Sequence, residues 1–383
     1  MEKLFYQDSH KTTFSARVTD CRETEKGFLI TLDATAFYPE GGGQACDIGT
    51  LGDARVLDVR ENGEEIFHLC DKALPVGETV EGRIDWGRRF DLMQQHTGEH
   101  ILSGIIHKRY GYANSGFHIG AEVLEVDFDG PIPAEDLPEL ERAVNKAIWE
   151  NAPVKCYVPS PEELPTIPYR TKRALPWPVR IVEVENYDLC ACCGVHVKYT
   201  GEIGLVKLLS CVKFHQGVRI EMVCGGRALK LMSAIYDQNK QVSAAFSARP
   251  LETGAAARHM NDVLSQEKFR TLGVQKKYFS LLAERYRNAG LAVCFEEDLD
   301  PAGVRELSIA ISNVCGGVAA VFSGQDDKIY NLCLAGDAQE VKDMGAALGA
   351  KLNARGGGNP GFYQGSIPAS RAEIMAFYQI YRE

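Results

Sequence analysis

The feature that most constrains this chain is a set of four potential metal ligands split between two distant segments. His96 and His100 stand in HTGEH, and Cys192 and His196 in CCGVH. On a helix, a step of four residues brings both imidazoles to one face, where a single Zn²⁺ can take them together. The second pair must be brought in by folding, so the spacing calls for a domain of more than about 100 residues built around a metal ion.

The cysteine side leaves a choice, because Cys190, Cys192 and Cys193 crowd together. Cys192 repeats the four-residue step to His196 and is the preferred ligand; Cys193 is the alternative, and His107, His118 and His215 are further candidates. A metallopeptidase pattern places glutamate directly after the first histidine, within reach of a metal-bound water. Thr97 occupies that position and Glu99 precedes the second histidine, which argues against a peptidase. Four protein ligands make a closed site, whereas catalysis usually keeps one position open, and spacing is compatible with either.

The chain of 383 residues is 45% hydrophobic and 25% charged, enough for two or three cores. Its net charge of −10 argues against a nonspecific nucleic-acid coat while leaving room for local basic patches. No apolar run approaches the ~20 residues of a membrane span. The opening MEKLFYQDSH lacks the apolar core of a secretion signal, so the expectation is a cytoplasmic protein with its 12 cysteines reduced.

The pattern along the chain predicts an α+β protein. Residues 1–88 read as short strands (FSARVTDC, GFLITLD, ARVLDVR, EEIFHLC), a barrel-like β domain carrying TAFYPEGGGQACDIG. Gly41 to Gly43 in that segment form either a tight turn or a backbone that approaches a ligand closely. Residues 89–235 mix helices and antiparallel strands into a metal-binding core, with HTGEH inside a helix that stops at Gly111. A helical connector over 236–290 follows; within 251–290, seven Lys/Arg against four Asp/Glu give +3. Residues 291–383 alternate strands and helices as a C-terminal α/β domain containing RGGGNPGFYQGS.

TAFYPEGGGQACDIG, HTGEH, CCGVHV and RIEMVCGGRAL, in that order, resemble the editing domain of alanyl-tRNA synthetase and its freestanding relatives, the AlaX proteins. RGGGNPGFYQGS resembles the glycine-rich motif of the DHH-associated C-terminal domain of that synthetase, which points to the long form of AlaX; nothing in the chain resembles an aminoacylation domain. The resemblance implies a zinc-dependent aminoacyl-tRNA hydrolase that removes serine, and also glycine, wrongly esterified to tRNA(Ala). Carried over position by position, it implies His96, His100, Cys192 and His196 as zinc ligands, Thr35 as the residue that discriminates the amino acid, and Gln44 at the end of its motif. The family's CGGTH reads CCGVH here, with Cys193 for the first glycine and Val195 for threonine. Glu99 is a candidate general base.

For tRNA, YRTKRALPWPVR offers Arg170, Lys172, Arg173 and Arg180 with the aromatic Trp177 interleaved. The resemblance implies a second contact through the basic helix and the C-terminal domain, where Gly356, Gly357 and Gly358 stand, and through the same region a homodimer. The alternative of another class is a zinc-stabilised tRNA-binding module that has lost hydrolysis.

Overall fold

The computed structural model describes residues 1–171, 175–326 and 328–381. The chain divides into two compact units, Met1–Gln241 and Val242–Glu383, a coarser division than the four segments read from the sequence.

After a short strand, Glu2–Lys3, that pairs with Ala34–Thr35, the first unit has a one-turn helix, α1 (Leu4–Gln7), and a six-stranded antiparallel barrel. Strand Thr13–Thr24 pairs with Gly27–Leu32 on one side and Thr79–Ile84 on the other. The ring closes through Glu65–Cys70, Ala54–Asn62 and Gly49–Leu51. Strict alternation explains it: Phe14, Ala16 and Val18 point inward from the first strand, Val80 and Ile84 from the last, while Ser15, Arg17, Glu81 and Arg83 between them face water.

Helix α2 (Trp86–Tyr110) starts where Asp85 accepts a hydrogen bond from the Arg88 backbone N–H, and ends at Gly111, whose φ of 78° is the left-handed cap. Its middle is buried on every side, from Leu92 to Gly104, although Gln94, Gln95, His96, Thr97, Glu99, His100 and Ser103 are polar. A buried helix is expected to be apolar all round, so this polar run has to be answered by specific partners. Helix α3 (Leu137–Trp149) packs beside α2, and a four-stranded antiparallel sheet ordered Val206–Phe214, Gly217–Cys224, Leu124–Phe128, Asn114–Ile119 closes over it. A smaller sheet, Val154–Tyr157, Ile181–Val184 and Asp188–Ala191, lays its last strand against α2. Gly104 permits that approach, because a Cβ there would stand 2.2 Å from the Tyr187 carbonyl oxygen. One continuous hydrophobic cluster runs from the barrel (Ile30, Val56, Ile66) through α2 (Met93, Ile101) to the sheet (Val126, Ile220).

Helix α4 (Gly225–Ala245) leaves the last strand of this sheet, and α5 (Thr253–Glu284) opens the second unit's long helical stretch. The helical connector is thus two helices, interrupted around Pro250, which cannot donate to a helical ladder. The second unit is a five-stranded sheet ordered Leu291–Glu296, Val318–Ser323, Tyr330–Ala335, Phe362–Ile367, Arg355–Gly357, with only the first pair parallel. Helix α6 (Pro301–Cys315) supplies the crossover and packs with α5 on one face, against Ala319, Val321 and Cys333. Helices α7 (Ala338–Leu352) and α8 (Arg371–Tyr381) cover the other face, against Ala320, Phe322 and Leu332. Among the described residues, no helix is long and apolar enough to cross a membrane.

Candidate metal centre

His96 and His100 project from the same face of α2, and the loop after strand Asp188–Ala191 brings Cys192 and His196 to them. One ligand atom from each of the four lies within 4.8 Å of the others, and Cys192 Sγ stands 3.4 Å from His96 Nε2. Tetrahedral zinc with bonds of about 2.0–2.3 Å sets ligand separations of roughly 3.3–3.8 Å, so the cluster is close to the size a zinc ion requires. Cys193, His107, His118 and His215 are not in it.

The outer contacts fix which nitrogen of each ring faces inward. His96 Nδ1 pairs with Gln44 Oε1 at 2.8 Å, His100 Nδ1 with Asp188 Oδ2 at 2.9 Å, and His196 Nδ1 with Thr97 Oγ1 at 3.2 Å. With Nδ1–H donated outward, each Nε2 lone pair is left for the centre, as in metal-bound histidines. His196 Nε2 is buried without a hydrogen-bond partner among the described residues, an orphan that a metal would satisfy. Burial pushes the Cys192 thiol up, but the three imidazoles around it, His96 foremost, outweigh it and hold the thiol well below its ordinary value. Burial and the neighbouring His96 ring hold His196 well below the ordinary imidazole value. Thiolate and neutral imidazole are the forms that bind metal.

The motifs acquire physical reasons here. Gly41 to Gln44 form a two-residue hairpin turn, closed by Gly41 N–H to Gln44 O at 3.1 Å and Gln44 N–H to Gly41 O at 3.0 Å. Gly42 and Gly43 take φ of 56° and 79°, the left-handed pair such a turn needs. The turn delivers Gln44 to His96, and it lies against the Cys193 thiol and the Phe117 ring. Gly194 faces His96 so closely that a Cβ would stand 2.2 Å from His96 Cε1, while Val195 is buried in the core. Thr97, standing where a peptidase carries glutamate, serves His196 and accepts from Val197 N–H at 3.3 Å.

A cavity of about 640 Å³ opens beside the cluster, lined by His100, Cys192, Cys193, Glu99, Asn114, Phe117 and Arg170 among others. Glu99 is buried, and one of its oxygens accepts from both Ser103 Oγ and Asn114 Nδ2; the other lies 4.0 Å from His100 Nε2. Thr35 does not line this cavity. Its hydroxyl bonds His68 Nε2 at 2.8 Å and accepts from Phe37 N–H at 3.1 Å, while His68 Nδ1 donates to Ile30 O at 3.0 Å. Gln44 is likewise behind the cluster, in contact with His96. The whole 35–47 segment is pinned to α2 by the buried Arg89, which pairs with Asp47 and donates to the Ala36 carbonyl at 2.6 Å.

In the basic stretch before the metal loop, two of the described arginines bond to groups within the fold. Arg170 donates through Nε to Asp188 Oδ1 at 2.7 Å, behind His100, and Arg180 bonds the carbonyls of Cys192 and Gly194. Trp177 is half exposed, with Nε1–H donated to Pro159 O at 3.2 Å. Lys172 and Arg173 lie outside the described residues. Gly356, Gly357 and Gly358 sit exposed on and after the edge strand of the second unit. Residues absent from the sequence reading but present at the site are Asp188, Asn114, Phe117 and Tyr6. Asp188 carried a signal, a carboxylate four residues before the cysteine ligand; Tyr6 carried none.

Comparison with known proteins agrees with this architecture. Residues 3–88 match the family of class II (A) tRNA synthetases, and residues 179–221 match the second additional domain of threonyl and alanyl tRNA synthetases. The mouse alanyl-tRNA editing protein Aarsd1 is 27% identical, covering 100% of this chain and 98% of its own. Alanyl-tRNA editing protein AlaX-L of Pyrococcus horikoshii is 34% identical over 61% of each chain. The alanine–tRNA ligase of Ignicoccus hospitalis is 35% identical over 65% of this chain but only 28% of its own. The matched segments thus place parts of this fold among tRNA-synthetase-like modules. More particularly, the chain is AlaX-like: it is similar along its whole length to the alanyl-tRNA editing protein Aarsd1 and over 61% of its length to AlaX-L.

Proposed function

We propose that this protein is a trans-editing hydrolase that deacylates tRNA(Ala) mischarged with serine, and with glycine, at a zinc site formed by His96, His100, Cys192 and His196. The observation that carries the reading is the four-ligand cluster, with every imidazole anchored through Nδ1, set at the wall of a cavity large enough for an aminoacyl ester. Relatives that span the full chain are named alanyl-tRNA editing proteins, which supports the substrate class.

Zinc, when bound, would supply positive charge to anchor or polarise the aminoacyl group. The chain's own residues supply the rest. Glu99 is held against the cavity by Ser103 and Asn114, and its second oxygen makes no hydrogen bond among the described residues. In this reading it takes the proton of the attacking water; the ester C–O bond to the ribose breaks, and the proton passes to the departing ribose oxygen. Thr35 acts on discrimination from behind, by holding His68 and the turn into Phe37, and Gln44 by orienting His96. Selection of serine over alanine at a separate hydrolytic site is the double-sieve solution for two small side chains.

The homodimer has support in α5, which exposes Met260, Leu264, Val274, Tyr278 and Leu281 along one heptad-spaced stripe. The cytoplasm is the compartment in which a tRNA-editing protein with reduced thiols would act. The test is release of serine, glycine and alanine from tRNA(Ala) charged with each, with and without chelation. Zinc-dependent loss of serine with alanine spared is expected; tRNA binding with no ester hydrolysed would instead identify a non-catalytic module.

A further inference from the structure

The ligand loop at Cys192 is gripped from outside by two residues that touch neither the cavity nor the ligand atoms. Arg180 Nη1 donates to the Cys192 carbonyl at 2.9 Å and to the Gly194 carbonyl at 2.7 Å. Between them, the Cys193 carbonyl accepts from the Tyr6 hydroxyl at 2.8 Å. The two donors are themselves joined, since the Arg180 guanidinium lies 4.5 Å over the Tyr6 ring. The backbone closes the arrangement, with Cys192 N–H donating to Arg180 O at 3.1 Å.

Three consecutive carbonyls are therefore turned away from the ligand cluster. A peptide plane whose oxygen points outward directs its neighbouring N–H inward, and Gly194 N–H points at Cys192 Sγ at 3.3 Å. Tyr6 comes from α1, at the far end of the chain from the loop it holds, so the grip links the segment preceding the barrel to the metal loop.

We infer that Tyr6 and Arg180 are positioning residues of the metal site: by taking the carbonyls of residues 192–194 outward, they hold the Cys192 sulfur and its N–H partner in the ligand position. The inference rests on the metal reading of the cluster and is independent of ester hydrolysis. It also assigns Arg180 to the loop in place of a tRNA phosphate.

The test uses the full chain, with Tyr6→Phe, which removes one hydroxyl and keeps the ring, and Arg180→Met. Zinc transfer to a chromogenic chelator is followed, together with the thiolate-to-cobalt absorption band of protein loaded with Co²⁺ and the thermal midpoint with and without metal. Each variant is expected to hold zinc about 10–100-fold more weakly and to show a diminished thiolate band, with the midpoint of the stripped protein near wild type. Wild-type zinc retention and an unchanged cobalt band, or equal destabilisation with and without metal, would overturn the inference. If Arg180→Met does not fold, Tyr6→Phe decides alone. Weakened metal retention in a protein that hydrolyses no aminoacyl ester would leave this inference standing and remove the functional reading.

Discussion

His100 and Arg170 share one carboxylate: Asp188 Oδ2 accepts from His100 Nδ1 at 2.9 Å, and Asp188 Oδ1 accepts from Arg170 Nε at 2.7 Å. Burial alone would raise the Asp188 carboxyl, yet the two partners hold it below its ordinary value. Asp188→Asn keeps the shape and removes the charge. It is expected to weaken zinc binding about 10–100-fold, read by competition with a chelator, whereas His100→Ala should abolish both zinc content and deacylation.

Thr35→Val leaves His68 Nε2 and the Phe37 N–H buried without the hydroxyl they share. A loss of about 1–3 kcal/mol in unfolding free energy is expected, together with slower serine release or attack on Ala-tRNA(Ala). Unchanged stability and unchanged rates on both esters would remove Thr35 from discrimination.

His68 supplies a pH dependence. Burial lowers its pKa from 6.5 to about 4, so the native ring stays neutral while the unfolded ring takes up a proton. A depressed folded pKa means the stabilisation is complete above about pH 6.5 and is lost as pH falls toward 4, by up to about 3 kcal/mol. Denaturation midpoints measured from pH 7 to 4.5 should fall more steeply in the wild type than in His68→Gln.

Arg89 and Asp47 form a fully buried ion pair between α2 and the glycine-turn segment. Arg89→Met strands the carboxylate and should cost about 3–5 kcal/mol in chemical denaturation. Metal retention should suffer as well, because Gln44 lies in the same segment.

Gly194→Ala puts a methyl group 2.2 Å from His96 Cε1. The ring or the loop must move, and purified protein should contain well under one zinc per chain by elemental analysis. Retention of full zinc would show that the loop relaxes.

Much of the metal site was legible because its signals are local. The four-residue step of His96 and His100 follows from helical geometry, and the Asp85 and Gly111 caps frame that helix in sequence. Cys192 was separable from Cys193 only by spacing, and the structure turns Cys193 to the cavity and the glycine turn. What was not legible depends on long-range partners. Arg170 and Arg180 look like free cations in YRTKRALPWPVR, and only the fold shows them facing Asp188 and the loop carbonyls. Thr35 carries its motif, yet its contacts with His68 depend on strand register. The break between α4 and α5 was hidden by helix-forming residues on both sides of Pro250.

The continuous cluster joining the barrel to α2 has a consequence for how the chain can be divided. A cut at the junction near residue 88 would leave complementary apolar faces on two pieces, neither able to cover its own. All four ligands would remain on the larger piece, while Gln44 and Tyr6 would depart with the smaller. Co-expressed fragments should then reassociate, and the firmness with which the larger one keeps its zinc would report whether its counterpart has returned.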